Sequence, residues 1–178
     1  MDAVWRSLDP EEPSLEHLCL TGWTRAEGTV VGVAGGRPYT LNYLVEIAPD
    51  GHPTFVGADV AGGAALTLRR SATGEWASGT RRPRPDLRGC ADVDIRATPF
   101  TNTLPIRRLG LSVGESRELR AVWVDVPTLE LRVARQRYKR TGEATYRYEN
   151  LDSGYTNEIT VDRFGLVTLY PGAFERLI

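Results

Sequence analysis

The sequence predicts a mainly all-β protein: one large antiparallel sheet that curls into a barrel or half-barrel, with a β-sandwich as the second choice. Three observations carry the prediction. Apolar and polar residues alternate along most of the chain, the spacing of strands with one buried face. The alternating stretches are short, about ten or eleven in number, and clusters of Gly, Pro, Asn and Asp separate them at near-regular intervals. Helical periodicity is almost absent, and one run, residues 89–109, breaks the alternation altogether.

In chain order, Leu18, Leu20 and Gly22 alternate with His17, Cys19 and Thr21, and Val31 and Val33 follow after Gly28. Tyr39, Leu41, Tyr43, Val45 and Ile47 then share one face of a strand, with Thr40, Asn42 and Glu46 on the other. The connections Arg25-Ala26-Glu27-Gly28, Gly35-Gly36-Arg37-Pro38 and Pro49-Asp50-Gly51-His52-Pro53 have turn composition. Strands follow at 54–61, 65–71 and 75–79, parted by Gly62-Gly63 and Ala72-Thr73-Gly74.

A polar loop at 81–89 holds Pro83 and Pro85, after which 91–97 reads as a strand and 98–114 as irregular structure with at most a short helix. Alternation then returns at 118–126, 128–138, 144–150, 157–162 and 166–170.

At 178 residues the chain fits one domain, 1–178, able to bury roughly two-thirds of its unfolded surface without disulfide or metal. No repeat, low-complexity tail or linker divides it. Twenty-two Lys and Arg face 23 Asp and Glu, a balance that excludes a general nucleic-acid or polyanion binder. Lys139 is the single lysine, a bias read first as genome composition and only second as a supply of guanidinium forks for oxyanions. No stretch approaches the roughly 18 apolar residues of a membrane-spanning helix, so no integral membrane segment is expected. The first residues carry Asp2, Asp9, Glu11 and Glu12 against Arg6 alone, the opposite of a secretory leader, which leads to a cytoplasmic expectation. Cys19 and Cys90 are then expected as reduced thiols.

Motifs for catalysis are missing. His17 and His52 stand in no zinc-binding spacing, and no nucleophile elbow, phosphate loop or dinucleotide fingerprint occurs, so no catalytic residue, metal or cofactor is assigned. Asp92 and Asp94 share one strand face, where paired carboxylates serve acid–base chemistry; the simpler reading is that arginines or backbone amides satisfy them. Arg107 and Arg108 lie between Leu104-Pro105-Ile106 and Leu109-Gly110-Leu111, which places a guanidinium beside apolar surface. One of them pairing inside with Asp92 or Asp94 is the competing reading, and the two readings can hold for different arginines. Thr101 and Asn102 suit a tight turn first and a sugar hydroxyl second. Tyr39 with Tyr43, Tyr146 with Tyr148, and the dispersed Trp5, Trp23, Trp76 and Trp123 fit either ordinary core or the wall of a ligand site.

The run Gly89-Cys90-Ala91-Asp92-Val93-Asp94-Ile95, continued by Thr98-Pro99-Phe100-Thr101-Asn102-Thr103-Leu104-Pro105-Ile106-Arg107-Arg108-Leu109, resembles the signature of the bacterial family named for putative glycolipid binding, once known only as a domain of unknown function. Glu16-His17 with Leu20, Gly28 with Val31, Tyr39 with Leu41 and Tyr43, Gln136 with Tyr138, Tyr146 to Tyr148, Val161-Asp162, Gly165-Leu166-Val167 and Tyr170-Pro171-Gly172 extend the match over nearly the whole chain. The resemblance implies an incomplete barrel similar to bacterial lipoprotein carriers, whose hollow accepts acyl chains, and it brings no catalytic residues with it. Those carriers act outside the cytoplasm, whereas no leader or lipidation cysteine is read here, so the implied ligand is an intracellular lipid or a lipid-linked precursor.

The expected function is therefore non-enzymatic binding of an amphiphile, a glycolipid or other acyl-chain lipid, in the concave face of the sheet. Arg107 or Arg108 is expected at the head group, with Asp92, Asp94, Thr101, Asn102, Tyr43, Trp123, Tyr146 and Tyr148 around the ligand. Two alternatives stand beside it: a lipid- or sugar-directed hydrolase using Asp92 and Asp94, and a protein-interaction domain using an open sheet edge. No particular protein partner is specified.

Overall fold

The structure, a computed structural model, describes residues 1–178. Fifteen strands form one sheet: β1 (Asp2–Ser7), β2 (Ser14–Thr21), β3 (Arg25–Ala34), β4 (Arg37–Ile47), β5 (Pro53–Val60), β6 (Ala65–Arg70), β7 (Trp76–Ser78), β8 (Arg82–Pro83), β9 (Asp92–Ile95), β10 (Ser116–Val124), β11 (Leu131–Arg140), β12 (Thr145–Asn150), β13 (Thr156–Val161), β14 (Val167–Tyr170) and β15 (Phe174–Arg176). One helix, α1 (Phe100–Leu109), and a single 3-10 turn at Pro85–Leu87 complete the secondary structure. The sheet is not closed into a barrel.

Two meanders meet at the chain ends. Strands β1 to β8 run in sequence order to one edge and β15 back to β9 to the other, with β1 paired to both β2 and β15. The edge strands β8 and β9 are joined by residues 84–91 rather than by a ladder; the Trp76 indole donates to the Cys90 carbonyl (2.9 Å) across that seam. Every pairing is antiparallel except β9 with β10. A parallel pair needs a crossover, and α1 is that crossover, which brings the helix back over the sheet.

More strands form than the turn spacing suggested. Strands β1, β8 and β15 were not expected; β8 and β15 are too short to display a period, and they exist through their partners. In β3 the buried residues are Ala26, Gly28, Val30, Gly32 and Ala34, while Val31 is 57% exposed. The phase follows from pairing with β4, where Gly28 lies opposite Tyr43 and Val30 opposite Leu41.

Helix α1 is longer than the proline content of 98–114 suggested, and Pro105 sits inside it. Proline removes the bond its N–H would make one turn back and costs about 3 kcal/mol in an exposed helix. Here residues 100–106 are all buried, so packing on the sheet outweighs that loss. The Thr98 hydroxyl accepts the Phe100 N–H (3.0 Å) at the start, and Gly110, with φ +53°, ends the helix in the left-handed conformation.

The helix also joins the two cores. Phe100 and Leu104 belong to a large apolar cluster built on β1–β7, with Val93, Ile95, Val122 and Val124. Ile106 belongs to a smaller one with Leu111, Tyr138, Tyr146, Tyr148, Ile159, Val161, Val167 and Tyr170. Trp5, fully buried between the meanders, donates its indole N–H to the Val167 carbonyl (2.8 Å). The helix is not long and apolar enough to cross a membrane.

Candidate functional site

Residues of β9, β10, β12 and the loop before β13 meet the start of α1 around a cavity of about 240 Å3. Asp94, Asn102, Trp123, Tyr148, Asn150 and Tyr170 are in its wall. An adjoining cavity of about 300 Å3 reaches toward Ser14 and Tyr39, and the two share Arg96, Tyr155, Ala173 and Phe174. Together they form a groove rich in planar polar groups and aromatic rings, the lining that suits a hydroxylated ligand.

Asp94 is held at this cavity by Gln136, whose Nε2 donates to Oδ2 (2.5 Å). Enclosure by protein pushes the Asp94 carboxyl up to about 6, against the lowering pull of Gln136 and of the Thr101 hydroxyl. Thr101 also accepts the Ile95 N–H (3.2 Å), tying α1 to β9. Asn102 accepts the Tyr138 hydroxyl (2.9 Å) and donates to the Pro99 carbonyl. Tyr148 stands edge-on to Tyr138 (5.3 Å between centroids) and to Tyr170 (6.3 Å), so the aromatic wall is braced by its own neighbours. Trp123 is half-buried, and the Arg132 guanidinium stacks 3.5 Å from its ring centroid.

Arg96 stands between the two cavities. Its guanidinium donates to Glu12 Oε2 (2.5 Å) and to the Val126 carbonyl (2.8 Å), while Nε faces Asp125 Oδ1 at 3.4 Å without hydrogen-bond alignment. Two carboxylates therefore fix it in place while part of its side chain stays exposed.

A second buried polar cluster lies behind the groove. Glu16, 2% exposed, accepts the Tyr43 hydroxyl (2.5 Å) and the Thr98 hydroxyl (2.7 Å) on Oε1, and its Oε2 is buried with no partner. Burial raises the Glu16 carboxyl to about 7, although both hydroxyls work to lower it. The same burial and the neighbouring Glu16 charge hold Tyr43 well above the usual phenol range. Tyr43 thus acts as a hydrogen-bond donor in the core, beside Thr98, which itself lines the smaller cavity.

The arginine pair divides. Arg108 forms a buried ion pair with Asp92, which is 1% exposed, so the internal-pairing reading applies to this arginine. Burial raises the Asp92 carboxyl and Arg108 opposes the rise. Asp92 and Asp94 each have a separate partner, Arg108 and Gln136, which is the satisfied-carboxylate arrangement and lends no support to a hydrolase. Arg107 lies 3.4 Å from the Trp23 ring centroid and donates to the Phe164 carbonyl (2.7 Å). With Tyr146 it lines a groove of about 440 Å3 that shares no residue with the Asp94 cavity.

Of the expected residues, then, Asp94, Asn102, Trp123 and Tyr148 come together, Thr101 and Tyr43 support them from behind, and Arg107, Arg108, Asp92 and Tyr146 lie elsewhere. Glu16, Arg96, Thr98, Gln136, Asn150, Tyr155 and Tyr170 were not singled out as site residues. A signal existed for two of them: Glu16 continues the face of Leu18 and Leu20, and Gln136 lies between Ala134 and Tyr138, so each is a polar residue on an inward face.

The family model described as "Putative glycolipid-binding" matches residues 2–176. A DUF1089 family protein from Pseudomonas aeruginosa, whose crystal structure was determined at 1.80 Å, is similar at 39% identity and a TM-score of 0.86, over 92% of each chain. No curated protein matches.

Proposed function

The chain belongs to the family described as "Putative glycolipid-binding", and from that membership we propose that it binds the sugar head group of a glycolipid, or of a related amphiphile, in the groove around Asp94. The observation that carries the reading is the convergence of Asp94, Arg96 and Asn150 with Trp123, Tyr155 and Tyr170 on one cavity. A sugar offers hydroxyls in fixed directions and an apolar C–H face. Carboxylate, amide and guanidinium groups match the hydroxyls, and flat aromatic rings match the face.

Asp94 is suited to accept from sugar hydroxyls because Gln136 holds it in position without exhausting its acceptor sites. Arg96, anchored by Glu12, is a donor whose place is set before the ligand arrives, so little ordering cost attends binding.

Native mass spectrometry of the purified protein, followed by solvent extraction of the same sample, tests the proposal. A co-purified species that extracts into organic solvent and contains carbohydrate supports it. A bare polypeptide mass, unchanged after incubation with a mixed bacterial lipid extract, overturns it.

A further inference from the structure

Away from this groove, the seam where the sheet fails to close contains a cleft of about 970 Å3 between the β6–β7 hairpin and residues 81–91. Arg69, Arg70, Arg81, Arg84 and Arg88 line it, against the single carboxylate of Glu75. We infer that this cleft is an anion site for a ligand bearing two or more phosphoryl groups.

Six arginines outside the cleft, Arg6, Arg25, Arg96, Arg108, Arg137 and Arg176, have ion-pair partners. In the cleft only Arg84 does, with Asp86. Glu75 is instead approached by the Thr73 hydroxyl (3.3 Å). Like charges gathered without partners repel one another, and a multivalent anion relieves that repulsion.

Local structure holds the Arg70 guanidinium in place. Arg70 is half-buried, and its Nε is enclosed with no hydrogen-bond partner. Its Nη2 would stand only 3.1 Å from a Cβ on Gly74, so the bare turn glycine, with φ +86°, makes the room it occupies. Arg81 has φ +78°, a conformation that L side chains rarely adopt, and it lines the same cleft. Planar guanidinium forks match phosphate oxygens two at a time, and several forks around one space exceed what a single carboxylate or phosphate can use. The phosphoryl groups can belong to a free diphosphate or to a lipid head group.

Calorimetric titration with inorganic pyrophosphate at low salt, beside co-sedimentation with phosphatidylcholine vesicles containing cardiolipin, whose head group carries two phosphoryl groups, tests the site and separates its sources. Saturable pyrophosphate binding that weakens roughly tenfold in Arg70→Gln and in Arg88→Gln, and is unchanged in Arg147→Gln, supports a free-phosphate ligand. Vesicle capture with the same variant dependence, and no pyrophosphate binding, supports a lipid source. Absence of both, or equal weakening by Arg147→Gln at an exposed position on β12, overturns the inference. The glycolipid extraction is read independently, since no residue of the cleft lines the Asp94 groove.

Discussion

The ring of Tyr43 occupies the volume that a side chain at Gly28 would fill. The two residues face each other across β3 and β4, and a Cβ on Gly28 would overlap the ring and its hydroxyl. The bare glycine lets Tyr43 lie flat and reach Glu16.

Gly28→Ala is accordingly expected to push Tyr43 off Glu16 and to destabilise the fold by about 1–3 kcal/mol, the usual cost of overpacking a core. Tyr43→Phe removes only the hydroxyl and is expected to cost about 1–2 kcal/mol. Urea denaturation of both variants checks the order; a Gly28→Ala midpoint equal to wild type would contradict the packing argument.

Glu16 makes stability depend on pH. Its carboxyl moves from 4.5 to about 7 on folding, so the native state holds its proton more tightly than the unfolded chain. Stability is therefore greatest below the unfolded value and is lost as pH rises through the folded one, by about 3 kcal/mol for this group. Asp94, raised from 3.8 to about 6, adds a loss of the same sign at slightly lower pH. Glu16→Gln is expected to remove the upper part of this dependence and leave the lower part, as read by denaturant midpoints across the range.

Arg108→Ala leaves Asp92 buried without its partner, and a loss of about 3–5 kcal/mol is expected. Because an unpaired buried carboxylate is relieved by protonation, the loss should shrink toward acid pH. Arg108→Ala combined with Asp92→Asn should recover part of it. Thermal unfolding of the single and double variants is the measurement.

At the groove, Asp94→Asn and Trp123→Ala are each expected to weaken binding of an extracted glycolipid tenfold or more while the protein stays folded. Arg107→Ala loses its stacking on Trp23 and its bond to the Phe164 carbonyl, and glycolipid affinity is expected to be unchanged. A loss confined to Arg107→Ala would move the head group to the groove beside Tyr146.

Much of the architecture can be read locally. The period-two pattern of β4 places Leu41, Tyr43, Val45 and Ile47 on the buried face, and Gly and Pro mark the turns between strands, because both depend on near neighbours in the chain. The interrupted run at 89–109 is also visible, as a stretch where proline and paired polar residues cannot continue a ladder. Asp94, Asn102, Trp123 and Tyr148 are recognisable in the sequence as chemically capable residues, while their meeting place is not.

What the tertiary structure decided is which of these residues share a space. The parallel pairing of β9 with β10 sends α1 across the sheet, and that crossover separates Arg107 and Arg108 from Asp94 and brings Thr98 to Glu16, 82 residues away. The meeting of β1 with β15 is likewise a long-range pairing with no mark in either short segment. By itself, then, the sequence determined most of the strands, the buried face where the period is clear as in β4, and the kinds of side chain available for recognition. Their assembly into a groove and a basic seam depended on strand order and on the helix path, which arise from burying apolar faces against distant parts of the chain rather than from any local period.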